Sequence, residues 1–295
     1  MPRMTRLSPS VILFMSAALW GLYWVPLRQM QAMGLSGTWG VALFNAGPLL
    51  VLVPYLIHKR AAQMRDLRAV MLIGLATGIG MSLYASGLVY SSVIRVTLLF
   101  YLTPIWSTIF GVFWLSERLR PGRIIAIVLG LAGMWLLLAS NDSTTQPLNK
   151  GDLMALLSGV FWGLGATGLK KWPQAPTTIT TTCQLFVTAL FCVFLGAVVF
   201  GDHLPRAEVI LPALPIALGA SILVLLPSVF AIFWASKRLF PGRVGILMMS
   251  EVLVAIPSAS LLLPDEMMTP WQWVGGAIIL VACLVEVTAG DKPTG

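Results

Sequence analysis

One carboxylate in this sequence stands where carboxylates are costly. Glu251 lies near the middle of an apolar stretch at about 243–264. At that depth of a membrane-length helix, an ionised carboxylate needs a partner, water or a proton. It can pair with a basic side chain, bind the ammonium of a solute, carry a coupling proton, or simply make a structural polar contact. Arg95 opens another apolar stretch at its polar end, where a guanidinium is placed to attract a substrate carboxylate; Arg28 is placed to snorkel from its helix end. Aromatic residues supply the remaining chemistry. Trp20 and Trp162 fall at mid-stretch positions and Trp24 lies one helical turn from Trp20 on the same face. Tyr84 and Tyr101 add hydroxyl donors to an aromatic lining, unless these rings are packed core or face lipid. Asn45 and Gln184 hold corresponding inward positions, where their amides need a partner or a solute.

Other motifs point away from catalysis. Gly163-Leu-Gly165-Ala-Thr-Gly168 matches a dinucleotide fingerprint in letters, but that fingerprint needs a preceding strand and a helix N-terminus at the glycines. Here they lie within an apolar run, where small residues serve close helix packing. Neither a phosphate-binding P-loop nor an H-E-x-x-H pair occurs. Cys183, Cys192 and Cys283 lie in apolar runs without metal or redox spacing. The sequence therefore reads as a non-enzyme with no catalytic residue, no metal and no cofactor.

What must position these residues follows from composition. The 295 residues are 58% hydrophobic and 10% charged, with a mean hydropathy of +0.88. A globular domain carries about 45–50% apolar and about 25% charged residues. Continuous runs approaching ~20 residues suit helices rather than the alternating strands of a barrel. Ten helices are predicted, at about 9–30, 37–58, 69–90, 93–115, 121–140, 151–170, 177–200, 209–236, 243–264 and 270–289. Short connections leave no room for a soluble domain; the longest polar stretch is Asn141 to Lys150.

Basic residues orient the chain. With the N-terminus cytoplasmic, 15 Lys and Arg fall on cytoplasmic segments and 4 (Arg28, Arg95, Lys150, Arg206) on the other side. Basic loops stay inside, so both termini are expected in the cytoplasm. The net charge of +8 is then explained by anionic lipid, without nucleic acid. Trp39, Trp114, Trp172, Trp271 and Trp273, near span ends, read as interface anchors. Pro26, Pro48, Pro104, Pro227 and Pro257 fall inside spans, where each kinks its helix.

Two halves resemble each other. Leu19-Trp20-Gly21-Leu22 is echoed by Phe161-Trp162-Gly163-Leu164, and Glu117-x-x-x-Pro121 by Glu266-x-x-x-Pro270. The order is kept and the shifts, 142 and 149, differ only by loop length. Five helices per half is odd, so the second half enters the membrane upside down. Inverted repeats of this kind recur in secondary transporters, with the site near the midplane between the halves. The fold expected is an all-α membrane protein of ten transmembrane helices in two inverted five-helix repeats, 1–144 and 145–295.

Tyr84-Ala-Ser-Gly87-Leu88-Val-Tyr90-Ser-Ser, Thr103-Pro104-Ile105-Trp106 and Leu115-Ser116-Glu117-Arg118-Leu119 resemble the pattern of EamA-type carriers of the drug/metabolite transporter superfamily. That pattern has a Tyr/Gly-rich third helix, a proline in the fourth, and a Glu-Arg-Leu loop 13 residues after it, as Glu117 follows Pro104. The second half departs from it, with Glu251 before Val252 where the pattern has a proline. The resemblance, closest to the aromatic amino acid exporter branch, implies a bacterial inner-membrane carrier that moves small metabolites outward, amino acids foremost. Rival readings are a carrier of cationic drugs or nucleotide-linked sugars, a membrane-embedded enzyme, and a lipid-scrambling or structural bundle. Trp20, Trp24, Tyr84, Arg95, Tyr101, Trp162 and Glu251 are the expected cavity lining. The partners expected are a small-molecule substrate and the lipid bilayer, and a monomer would suffice.

Overall fold

A computed structural model describes residues 8–35, 37–63, 66–119, 121–139, 149–263 and 269–289. The central stretch from Asn141 to Pro147, Glu266 of the second repeat motif, and Arg3, Arg6, Arg65, Arg120 and Lys292 lie outside the described residues. So do the side chains of Arg60 and Cys283.

The described chain is helical, without strands among its described residues. Its α-helices are α1 (Pro9–Trp20), α2 (Trp24–Ala32), α3 (Thr38–Ala46), α4 (Leu49–Gln63), α5 (Leu67–Tyr90), α6 (Val93–Phe100), α7 (Thr103–Leu115) and α8 (Pro121–Ala139). The second half follows with α9 (Lys150–Lys171), α10 (Thr177–Phe194), α11 (Ala207–Ala220), α12 (Leu226–Ser236), α13 (Pro241–Met248), α14 (Val252–Leu262) and α15 (Pro270–Ala289). Seven helical segments are long and apolar enough to cross a membrane; shorter apolar helices begin at Thr103, Pro121 and Pro270. Large apolar side chains such as Met15, Leu50, Phe113 and Leu261 are 62%, 64%, 85% and 84% exposed, an outer surface made for lipid.

Several expected spans are interrupted by short turns, although all but one of these run through as one helical segment. α1 gives way to α2 at residues 21–23, α3 to α4 at 47–48, and α6 to α7 at 101–102. A π-helical turn, Ser221–Leu225, precedes α12, and a 3-10 turn, Met249–Glu251, separates α13 from α14. Proline accounts for three of these breaks. Pro48, Pro104 and Pro227 each stand at or next to the start of a new segment, where a missing N–H is least damaging. Pro104 cannot donate to the Phe100 carbonyl, and the Thr103 hydroxyl donates to it instead. The break at 249–251 occupies the matching place in the second half without a proline.

Close approach is set by small residues. α5 packs against α9 and α10, α7 against α9 and α13, α1 against α12 and α13, and α8 against α15. The fingerprint-like glycines serve this packing. A Cβ on Gly163 would come within 3.1 Å of the Ser107 backbone of α7, and one on Gly168 within 3.0 Å of Ile73 of α5. α8 and α15 meet backbone to backbone, since a Cβ on Gly133 would lie 2.6 Å from the Gly275 carbonyl oxygen. Gly133→Val should therefore cost about 1–3 kcal/mol by overpacking. Thermal unfolding of the detergent-purified protein reads this, with Gly219→Ala, which meets nothing within 4 Å, as the control. Equal melting temperatures for the two variants would show that α8 and α15 are not held this tightly.

Trp271 and Trp273 are 65% and 57% exposed near the start of α15, where interface anchors are expected. Trp114 meets Trp172 edge-on at 5.3 Å, and Lys171 Nζ lies 4.4 Å from the Trp114 ring. Trp39 differs from expectation. It is buried with its ring beside Gly196, just beyond the end of α10, where the packing of α3 on α10 covers it.

Candidate functional site

The broken helices of the two halves meet at the centre. Tyr101, in the break between α6 and α7, faces the 3-10 turn that ends at Glu251. Its hydroxyl oxygen lies 2.7 Å from the Met248 carbonyl oxygen and 2.5 Å from Glu251 Oε2. Tyr84, from the middle of α5, meets Glu251 Oε1. All three side chains are buried. A cavity of only about 10 Å³ lies beside them, lined by Trp20, Gly80, Met81, Tyr84, Phe100, Trp162, Met248 and Glu251. That is room for one water at most, so the protein is closed around its centre.

An aromatic cage surrounds this point. Trp20 and Trp162 stand with ring centroids 6.0 Å apart, and Phe100 lies 6.4 Å from Trp162 and 4.6 Å from Tyr84. Trp162 donates its indole N–H to Met248 Sδ at 3.2 Å. Tyr23 stacks on Trp20 at 5.6 Å, and its hydroxyl accepts from the Asn45 amide at 2.9 Å. Asn45 therefore acts as a support for the cage and does not line it. Gln184 donates to Thr188, in contact with α5 rather than with the centre. Aromatic faces beside one carboxylate suit a cation with an apolar or aromatic body.

Two expected lining residues lie elsewhere. Trp24 is not among the residues around the central cavity; its indole N–H donates to Ser258 of α14 at 3.1 Å. Residues 21–23 wind in tighter turns, with the Leu22 N–H donating to Leu19 and the Tyr23 N–H to Trp20, and at about 120° per residue such turns carry Trp24 off the face of Trp20. Arg95 is six residues before Tyr101, about 9 Å along the helix. It is 9% exposed and ion-paired with Asp152 at 2.9 Å.

Arg95 belongs to a polar cluster at one end of the bundle. Ser91 donates to Asp152 Oδ1 at 2.9 Å and accepts from the Asn149 amide at 3.2 Å. Asn149 and Asp152 cap α9 reciprocally. Arg28, expected to snorkel, donates instead to the Ser91 carbonyl at 3.3 Å. The cluster ties α2, the α5–α6 turn and α9 together. Sequence reading missed Asp152, although Asn149-x-x-Asp152 before an apolar run is a capping signature. At the opposite end, Glu117 of the Glu-Arg-Leu loop pairs with Arg123 of α8. There Lys237 donates to Thr177 Oγ1 at 2.9 Å, and burial pushes the Lys237 ammonium down to about 8.

A larger hollow of about 380 Å³ lies to the side. Trp20, Tyr23, Phe44, Leu225 and Leu262 are among its walls, so Trp20 separates it from the central cavity. Among the described residues, no group of three or more His, Cys, Asp or Glu side chains is placed to hold a metal.

The model of the EamA-like transporter family matches residues 8–139 and again 149–288. Among curated proteins, the aromatic amino acid exporter YddG of Ancylobacter novellus is 28% identical over 110 residues, 36% of this chain and 38% of its own. The uncharacterized transporters YoaV and YvbV of Bacillus subtilis are 24% and 25% identical over 153 and 203 residues. The alignments cover 50% and 66% of this chain and 51% and 65% of those proteins, so the chain spans less than two thirds of each curated relative. One solved crystal structure matches with a TM-score of 0.71 at 19% identity, covering 95% of this chain and 96% of that one. At that identity the likeness shows the fold alone.

Proposed function

The chain belongs to the EamA-like transporter family and is a multi-pass membrane protein, and on that premise we propose that it exports small metabolites, amino acids with aromatic side chains among them, by alternating access. The observation carrying this reading is the central cage, where Trp20, Trp162, Phe100 and Tyr84 surround the Glu251 carboxyl. A ring stacks among these rings while an ammonium meets the carboxylate. Kinship with a protein named an aromatic amino acid exporter supports the substrate class and the outward direction.

The architecture we assign is ten crossings in two inverted repeats, 1–144 and 145–295, in a bacterial inner membrane with both termini cytoplasmic. Pairwise packing supports the repeat, since α5 on α9 is matched by α12 on α1, and α7 on α9 by α13 on α1. The centre is closed, so exchange requires one end to open at a time. The Arg95–Asp152 cluster is the gate on the outer side, and the Glu117–Arg123 pair with the α7–α13 contact is the gate on the inner side.

Counterflow of labelled amino acids in proteoliposomes tests the function. Phenylalanine, tyrosine or tryptophan loaded inside should drive uptake of tracer, whereas arginine and aspartate should not. Counterflow with organic cations alone would replace the substrate assignment by the rival drug-carrier reading. A periplasm-active reporter fused after Lys292 should give no signal, and one in the 141–150 loop a strong one; the reverse pattern would overturn the orientation.

A further inference from the structure

Three oxygen–oxygen contacts, two at Glu251 and one from Tyr101 to the Met248 carbonyl, form a chain in which each full hydrogen bond needs its own proton. Tyr84 touches Oε1, Tyr101 touches Oε2, and the same Tyr101 oxygen touches the Met248 carbonyl. A tyrosine hydroxyl carries one proton and a carbonyl none. The two tyrosines therefore supply two protons for three contacts. The Met248 carbonyl has a lone pair available because the 3-10 turn sends the Val252 amide to Met249 and Ser250. With Glu251 ionised, Tyr101 would face two acceptors with one proton, leaving lone pair against lone pair in a buried site. With Glu251 protonated, these three contacts are all made. Tyr84 donates to Oε1, the carboxyl donates to Tyr101, and Tyr101 donates to Met248.

Among the described residues, no cation stands against the carboxyl to take the proton's place. α1 and α14 carry no ionisable side chain, and neither do the described side chains of α15, all of which pack on the turn. α13 contributes only Arg243, eight residues away, about 12 Å along the helix. On α6, Arg95 is paired with Asp152; the Tyr23 hydroxyl accepts from Asn45; α9 presents Trp162.

We propose that Glu251 is a neutral carboxylic acid in this closed state and that the ammonium of an incoming amine displaces its proton, so that the cage exchanges one amine cation for one proton. The O–H bond of the carboxyl breaks and its proton leaves to water on the open side. The carboxylate keeps the electron pair and is balanced by the ammonium. The carboxyl then never stands as bare charge in the membrane interior, which would be the costly alternative. The inference rests on the cage being the transport site.

Infrared difference spectroscopy of the reconstituted full chain tests it, with 2-phenylethylamine and L-phenylalanine as probes. At neutral pH, wild type should show a protonated-carboxyl C=O band that Glu251→Gln lacks. Adding 2-phenylethylamine should remove the band and release one proton per amine bound, read with an indicator dye in weak buffer. 3-Phenylpropionate, without an amine, should release none. Glu251→Gln should melt no lower than wild type, because its amide reproduces both carboxyl bonds and leaves Tyr101 free to donate to Met248, and should release no proton. Absence of a Glu251-dependent band overturns the inference, as does a band that both amine probes leave unchanged. Proton release by 2-phenylethylamine without counterflow of any amino acid leaves this inference standing and removes the amino acid assignment. Counterflow of amino acids without proton release does the opposite.

Discussion

Asp152→Asn should lower the stability of the folded protein by about 3–5 kcal/mol, the usual cost of removing one partner from a buried ion pair. Asp152 is 2% exposed, pairs with Arg95, accepts from Ser91, and accepts the Asn149 backbone N–H in the cap of α9. Neutralising it leaves the Arg95 guanidinium in a buried site without its carboxylate. The double variant Arg95→Met, Asp152→Asn should recover much of the loss, because no buried charge then lacks its counterion. Thermal unfolding of these two variants and of Arg95→Met alone gives the coupling energy directly. A melting temperature unchanged by Asp152→Asn would show that this pair does not hold the end of the bundle closed. The same variant should also raise the accessibility of a cysteine placed at Tyr84 to a membrane-impermeant thiol reagent added from outside. Unaltered labelling would remove the outer-gate assignment.

Trp162→Ala should raise the concentration of aromatic substrate needed for half-maximal counterflow by about 30-fold. That factor corresponds to the roughly 2 kcal/mol of a desolvated cation–π contact. Trp162 touches Trp20, Phe100 and Phe233 and donates to Met248 Sδ, so it joins the two halves of the cage. Trp20→Ala should behave similarly, since Trp20 holds the matching repeat position and its ring faces Trp162. Trp162→Phe should keep most of the transport while altering the ranking of substrates. Trp135, 70% exposed on the outer surface, is the control whose replacement by Ala should change nothing. Monodisperse protein in gel filtration separates a binding defect from a folding one. Normal counterflow by both Trp20→Ala and Trp162→Ala would place the substrate elsewhere, with the lateral hollow next to Trp20 the first alternative.

Sequence alone determined the class of this protein and the company some residues keep. Continuous apolar runs with scarce charge leave no other choice than helices in lipid, because each run carries its own solvation preference wherever it packs. Trp20 and Trp162 were legible as equivalent positions of the duplicated segments, and their rings lie 6.0 Å apart. Glu251 stood out because a carboxylate in an apolar run is conspicuous one residue at a time. Tyr84 and Tyr101 were legible as hydroxyl donors to the same lining, but not as its hydrogen-bond partners. Tyr84 and Tyr101 lie 167 and 150 residues away in sequence, and their meeting depends on how each helix is rotated about its own axis and shifted along it. Glycine contacts such as Gly163 on α7 and Gly168 on α5 set those rotations, and hydropathy carries no trace of them. Trp24 shows the same limit from the other side. A one-turn spacing predicts a shared face only while the α-helical pitch holds, and the tighter turns at 21–23 change it. Arg95 was legible as a charge and not as half of an ion pair, because Asp152 reads from sequence as the cap of α9, and only the packing of α6 on α9 turns a cap into a counterion.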